Sequence, residues 1–144
     1  MTETLNTATL MFIGHRAVEA RVMAVLAASG ADDITLAQSR LLQRLDPRGI
    51  RLTDLAEQAR VTKQTAGALV DQLERAGYVL RTADPSDARA RLVTLSDKGE
   101  ALCQTAWSEV ARIEREWREF LGDKTFQQMH DALLALREIT DPYR

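Results

Sequence analysis

Arg89 and Arg91 flank Ala90 just after an Asp84-Pro85-Ser86-Asp87 turn and lead into the alternating run Leu92-Val93-Thr94-Leu95. On an extended chain, alternate residues face one side, so both guanidinium groups emerge together. An arginine on a narrow ribbon suits the minor groove of duplex DNA. Asp87 precedes Arg89 by two residues and can pair with its side chain, an exposed contact that orients more than it stabilises. Arg91 is expected to meet backbone phosphate. Upstream, Thr62-Lys63-Gln64-Thr65 places small polar groups and one cation at a predicted helix start, where unpaired amides attract phosphate. Gln64 carries the donor and acceptor that match adenine in the major groove.

Other chemistries find no support. The sequence holds no phosphate loop, serine elbow or paired-carboxylate arrangement, so catalysis is not expected. His15 and His130 are isolated and form no recognisable metal cluster, and no cofactor is expected. The single cysteine, Cys103, excludes an internal disulfide and suits a reducing compartment.

These residues require elements to position them. Phe12, His15, Val18, Val22, Val25 and Leu26 recur at three- and four-residue steps, predicting a helix over residues 5–28 that Ser29-Gly30 stops. A second helix is expected over 35–44, with Leu36, Leu41, Leu42 and Leu45 apolar and the turn Asp46-Pro47-Arg48-Gly49 closing it. Thr53 reads as the N-cap of a short helix through residue 59, with Leu55 and Ala56 inward. After the brief turn Arg60-Val61, Thr62 caps a helix whose core face is Ala66, Leu69, Val70 and Leu73. Gln64, Ala68, Asp71 and Arg75 face outward, flanked by Thr65, Gly67 and Gln72.

Gly77 ends that helix. Strands at 78–81 and 91–95 then form a hairpin around the Asp-Pro-Ser-Asp turn. Ser96 opens the longest helix, to about residue 121, with a heptad-type seam of Cys103, Ala106, Val110, Ile113, Trp117 and Phe120. Gly122-Asp123 breaks it. A last helix carries Phe126, Met129, Leu133 and Leu136. The two terminal stripes exceed what a small winged unit needs for its own core, so they predict dimerisation.

The net charge of −2 divides unevenly. Residues 34–95 hold ten Lys and Arg against seven Asp and Glu, a balance of +3, and the remainder is at −5. The cations thus gather in the segment expected to touch DNA. Met1-Thr2-Glu3-Thr4 offers no basic leader, and the longest apolar run near the start, residues 22–28, is too short to span a bilayer. A cytoplasmic protein without membrane contact is expected.

The order of these elements resembles the MarR family of winged helix–turn–helix transcription regulators. The carrying residues are Leu52-Thr53-Asp54-Leu55-Ala56, Val61 to Thr65, Leu69 to Val79, and Asp84 to Arg89 with the trailing Leu95-Ser96-Asp97-Lys98-Gly99. The wing motif is the more specific part. The resemblance implies a mainly α fold with a small β-hairpin wing. A winged helix–turn–helix DNA-binding region would span 34–96, and a helical dimerisation region 1–33 and 97–144. It further implies a homodimer on a pseudo-palindromic operator, with Arg89 in the minor groove, Asp87 orienting it, and Thr62 to Thr65 opening the recognition helix. The expected DNA contacts are Thr62, Lys63, Gln64, Thr65, Ala68, Gln72, Asp87, Arg89 and Arg91.

Control by a small ligand is also implied, often an aromatic acid or phenolic compound held between the dimer helices and the winged unit. Met11, Phe12, His15, Arg16 and Trp107 are the candidate lining here, with Arg16 or His15 to meet a carboxylate. The peroxide-sensing branch of the family carries its reactive cysteine on the first helix, where this chain has none, so Cys103 reads as buried filler. A homodimeric, ligand-released repressor is therefore expected. The alternatives are a winged-helix protein-interaction module without DNA binding, which the outward Asp71 keeps open, and a ligand-independent activator. A small enzyme is the third class.

Overall fold

The computed structural model describes residues 4–143. Met1, Thr2, Glu3 and Arg144, which enter the leader argument and the ends of the expected helical region, lie outside them. Among the described residues the chain forms six helices and one three-stranded antiparallel sheet. Helix α1 spans Thr7–Ala28, and the Asn6 side chain accepts the Thr9 N–H at 2.9 Å. Helix α2, Leu36–Leu42, opens on a reciprocal capping box: Gln38 N–H donates to Thr35 Oγ1 at 3.1 Å, and Thr35 N–H to Gln38 Oε1 at 3.0 Å.

A strand absent from the sequence reading follows. β1, Ile50–Arg51, pairs with β3, Asp87–Leu95, which also pairs with β2, Val79–Asp84. Gly49 lies at φ +94, where an added Cβ would come within 2.9 Å of the Leu92 and Thr94 side chains, so the chain enters β1 flush against β3. Helix α3, Leu52–Ala59, begins at Leu52, one residue ahead of the expected cap. Thr53 therefore sits inside it, and Arg51 occupies the N-cap position without a side-chain capping bond. Asp54 supplies favourable first-turn charge instead.

Helix α4, Lys63–Arg75, buries Ala66, Val70 and Leu73 as its spacing predicts, with Leu69 half-buried. Tyr78 lies ahead of β2 and is buried, its hydroxyl donating to Asp33 at 3.0 Å. The core runs from Val22 and Leu26 through Leu41, Leu55, Val70, Leu73, Val79 and Val93 to Leu102. Helix α5, Asp97–Leu121, starts against the end of α4: Ser96 Oγ donates to the Gly77 carbonyl, and an added Cβ at Gly99 would meet the Tyr78 carbonyl oxygen at 2.1 Å.

The buried face of α5 differs from the expected seam. Leu102, Glu109 and Ile113 are the large buried side chains, Cys103, Ala106, Val110 and Trp117 are half-buried, and Phe120 is 88% exposed. Glu109 is buried because Arg21 of α1 donates to it at 2.9 Å while also holding Glu116. Helix α6, Asp123–Thr140, buries Phe126, over whose ring the Arg118 guanidinium lies at 4.3 Å.

Candidate nucleic-acid interface

The turn between α3 and α4 is fixed by its own main chain. Val61 N–H donates to the Ala56 carbonyl at 3.1 Å and Arg60 N–H to that of Glu57 at 3.2 Å, with Arg60 left-handed at φ 58. Thr62 then caps α4, its Oγ1 accepting the Thr65 N–H at 3.0 Å and donating to Thr65 Oγ1 at 2.9 Å. The structure leaves Thr62, Lys63, Gln64, Thr65, Ala68 and Gln72 exposed on one flank of the helix. A cationic, amide-rich helix start beside open side chains is suited to phosphate, with base edges within reach.

Asp71, the residue that keeps the interaction-module alternative open, is not a free anion. Arg81 of β2 donates to Asp71 at 2.7 Å and to Glu74 at 2.8 Å, offsetting part of their charge and tying α4 to β2. Gln72 is also engaged: its Oε1 accepts from Gln38 Nε2 at 2.9 Å. Neither tie was foreseen, because partners from distant parts of the chain leave no local spacing signal.

The wing turns at Pro85-Ser86, with Asp84 opposite Asp87 and Ala83 opposite Arg91. One step along β2 thus matches four along β3, so Ala88, Arg89 and Ala90 form a bulge without partners on β2. Arg89, expected at a strand start, thus lies within that bulge of β3. Asp87 does not grip the Arg89 side chain. Its carboxylate accepts the Arg89 main-chain N–H at 3.0 Å, shaping the bulge and leaving the guanidinium exposed. Among the described residues neither Arg89 nor Arg91 is in an ion pair.

Asp84 anchors the turn. Buried, it accepts from Ser86 N–H at 2.8 Å and Oγ at 2.7 Å, and from Arg51 at 2.7 and 2.8 Å. The Ser86 bonds first, then Arg51, hold its carboxyl below the usual range.

The expected ligand residues divide between two clefts. A larger one of about 890 Å³ lies between α1, α2 and α5 and includes His15 and Trp107. A smaller one of about 280 Å³ includes Phe12 and Arg16 with Arg40. Met11 lines neither and is exposed. Glu19 and Leu36 belong to both. Glu19 is buried, bound by Arg40 at 2.8 and 3.0 Å with His15 at 3.6 Å, and the Arg40 bonds lower its pKa. Cys103 lines the larger cleft half-buried, its thiol pushed up first by burial, then by Glu100.

A MarR family profile matches residues 34–90. The transcriptional regulator FarR of Neisseria gonorrhoeae is 30% identical over 110 residues, covering 76% of this chain and 75% of that protein. The chain belongs to the MarR family. Its members are winged-helix DNA-binding transcription regulators, not enzymes. The transcriptional repressor CouR, solved bound to a 23-mer DNA duplex, is similar at 28% identity and a TM-score of 0.66, over 94% of this chain and 92% of that one. A MarR family protein of Mycobacterium tuberculosis, solved with salicylic acid, is 26% identical with a TM-score of 0.67, over 94% and 99% of the two chains. No described helix is long and apolar enough to cross a membrane.

Proposed function

We propose that this MarR family regulator is a homodimeric repressor that sits on a pseudo-palindromic operator and lets go when a small aromatic ligand fills the larger cleft. The observation that carries the reading is the position of that cleft. Two of its walls, α1 and α5, are the long helices outside the winged unit, and the third, α2, packs on the reading helix α4. An occupant that favours one spacing of these walls shifts the angle between arms and reading head. It therefore shifts the fit of two heads to half-sites roughly 34–36 Å apart.

Dimerisation is supported by apolar side chains that one chain leaves open. Leu10, Met11, Phe12 and Ile13 on α1, and Met129, Leu133, Leu134, Leu136 and Ile139 on α6, are all exposed. Large apolar side chains left open in this number mark an interaction face. The reading head contributes Thr62 to Thr65, Ala68 and Gln72 from α4, and Arg89 and Arg91 from the wing, with Asp87 shaping the bulge. Leu26, Leu42 and Val110 line the cleft beneath the ring of an aromatic acid or phenol. His15 is the base on the larger side, and Arg16 and Arg40 are the cations on the smaller. The salicylic acid complex of the mycobacterial relative supports this ligand class.

The test is fluorescence anisotropy of duplexes from the gene's own upstream region, titrated with the protein and then with salicylate and related hydroxylated aromatic acids. Release of bound DNA by one of these at a concentration that also raises the protein's thermal stability supports the reading. Unchanged DNA affinity across the series, with thermal evidence of binding, overturns the release mechanism.

A further inference from the structure

We propose that Gln38 locks the side-chain amide of Gln72, so that the reading helix presents its NH2 group to DNA at that position and meets it as a hydrogen-bond donor. The proposal rests on the DNA-reading assignment of α4.

The Thr35 main-chain N–H can only donate, and its partner is Gln38 Oε1 at 3.0 Å. That fixes which end of the Gln38 amide is oxygen. Its Nε2 therefore faces Gln72 and donates, and the Gln72 atom receiving it at 2.9 Å must be Oε1. Gln38 is 7% exposed, so water does not readily replace either bond, and the Thr35 bond belongs to the capping box that starts α2. With its oxygen turned inward, exposed Gln72 keeps its NH2 group for a partner outside the protein.

Gln72 lies on the stripe of Gln64 and Ala68, four residues apart each, on the outward flank of α4. An unconstrained glutamine offers adenine both a donor and an acceptor. Gln64 makes no side-chain hydrogen bond among the described residues and keeps both options. Gln72 keeps one. Its DNA partner must be an acceptor, either a phosphate oxygen or an acceptor edge such as guanine N7 and O6 or thymine O4. Gln38 itself touches no DNA; it is a positioning residue acting through Gln72.

The experiment selects duplexes from a randomised operator library with the full-length wild type, Gln72→Ala and Gln38→Glu. Glutamate serves a capping box as well as glutamine, so Gln38→Glu retains the α2 start while losing the donor. Gln72 must then turn its NH2 inward and its oxygen toward the DNA. Where the partner is a base, Gln72→Ala should flatten preference at one symmetric pair of positions. Gln38→Glu should move that preference to adenine or cytosine, which offer donors, by roughly tenfold. Where the partner is a phosphate, both variants should lose affinity several-fold on every sequence with the preferred operator unchanged.

Slow exchange of the Gln38 side-chain amide protons in wild-type protein, read by NMR, checks the lock without any substitution. Gln38→Glu binding like wild type while Gln72→Ala does not, or rapid exchange of the Gln38 amide, overturns the lock. Gln72→Ala indistinguishable from wild type overturns the contact. Wild-type protein that selects and retains no duplex overturns the DNA-reading assignment of α4 instead.

Discussion

In the reading head, Leu55, Ala66, Val70, Leu73 and Val79 are fully buried, and the charged groups nearby are tied to one another: Asp71 and Glu74 to Arg81, Asp84 to Arg51. Along α6, Phe126 is the buried residue, while Leu134 is 56% exposed and Ile139 84%. The head can satisfy its own core within one chain; the arms cannot. What differs is the origin of the missing surface. The head leaves open polar and cationic groups that suit a polyanion, and the arms leave open apolar groups that suit a second copy of themselves.

The sharpest way to break this contrast is to charge the arms. Leu133→Glu with Leu136→Glu should convert dimer to monomer in sedimentation while the head stays folded. Each leucine counts twice in a symmetric interface, so the loss is roughly 6 kcal/mol even at about 1.5 kcal/mol per side chain. Operator affinity should fall by more than a hundredfold, since two heads would no longer be linked. Leu55→Ala in the head should act in the opposite sense. It should lower stability by about 2–5 kcal/mol in denaturant melts, with the surviving folded protein still dimeric.

Arg89→Ala should leave both stability and dimerisation intact and weaken operator binding by about tenfold to a hundredfold, measured by anisotropy. Asp87→Ala tests the corrected role of that carboxylate. Because it holds the Arg89 main chain and not its guanidinium, the loss should be smaller than for Arg89→Ala and accompanied by faster amide exchange in residues 87–90.

Acid should reach both regions through paired carboxylates. Folded-state pKa values of Glu19 and Asp84 are lowered, by the Arg40 bonds and by the Ser86 then Arg51 bonds respectively. Their stabilisation is complete above the ordinary carboxylate value near 4 and disappears as pH falls through the lower folded values. Glu19→Gln and Asp84→Asn should each flatten the acid limb of a stability–pH curve and leave its shape above pH 6 unchanged. The smallest effect belongs to Cys103. With its thiol pKa raised by burial, peroxide should leave operator affinity of the wild type and of Cys103→Ala equal.

What the sequence disclosed follows from the range of the interactions. The recognition helix was legible because Ala66, Leu69, Val70 and Leu73 recur at three- and four-residue steps beside a local threonine cap. The two-residue strand Ile50–Arg51 was not, because its pairing with Leu92 and Val93 is what makes it a strand. Thr53 resembled a cap by type, but Arg51, paired with Leu92, holds the N-cap position two residues earlier. The Asp87–Arg89 contact was found at the right residues and the wrong atoms, since the bulge that redirects it depends on the register of β2. On α5, a hydrophobic stripe could not reveal buried Glu109, whose neutralising Arg21 lies on another helix. Met11, Phe12, His15 and Arg16 lie close along α1, yet Phe12 and Arg16 line the smaller cleft, His15 lines the larger with Trp107 of α5, and Met11 lines neither.

The most direct test is the mass of the complex formed on a duplex from the gene's own upstream region, measured by sedimentation together with hydroxyl-radical footprinting. Two chains per duplex are expected, with symmetric protection over two half-sites one helical turn apart. One chain per duplex, or a single protected half-site at saturation, would contradict this.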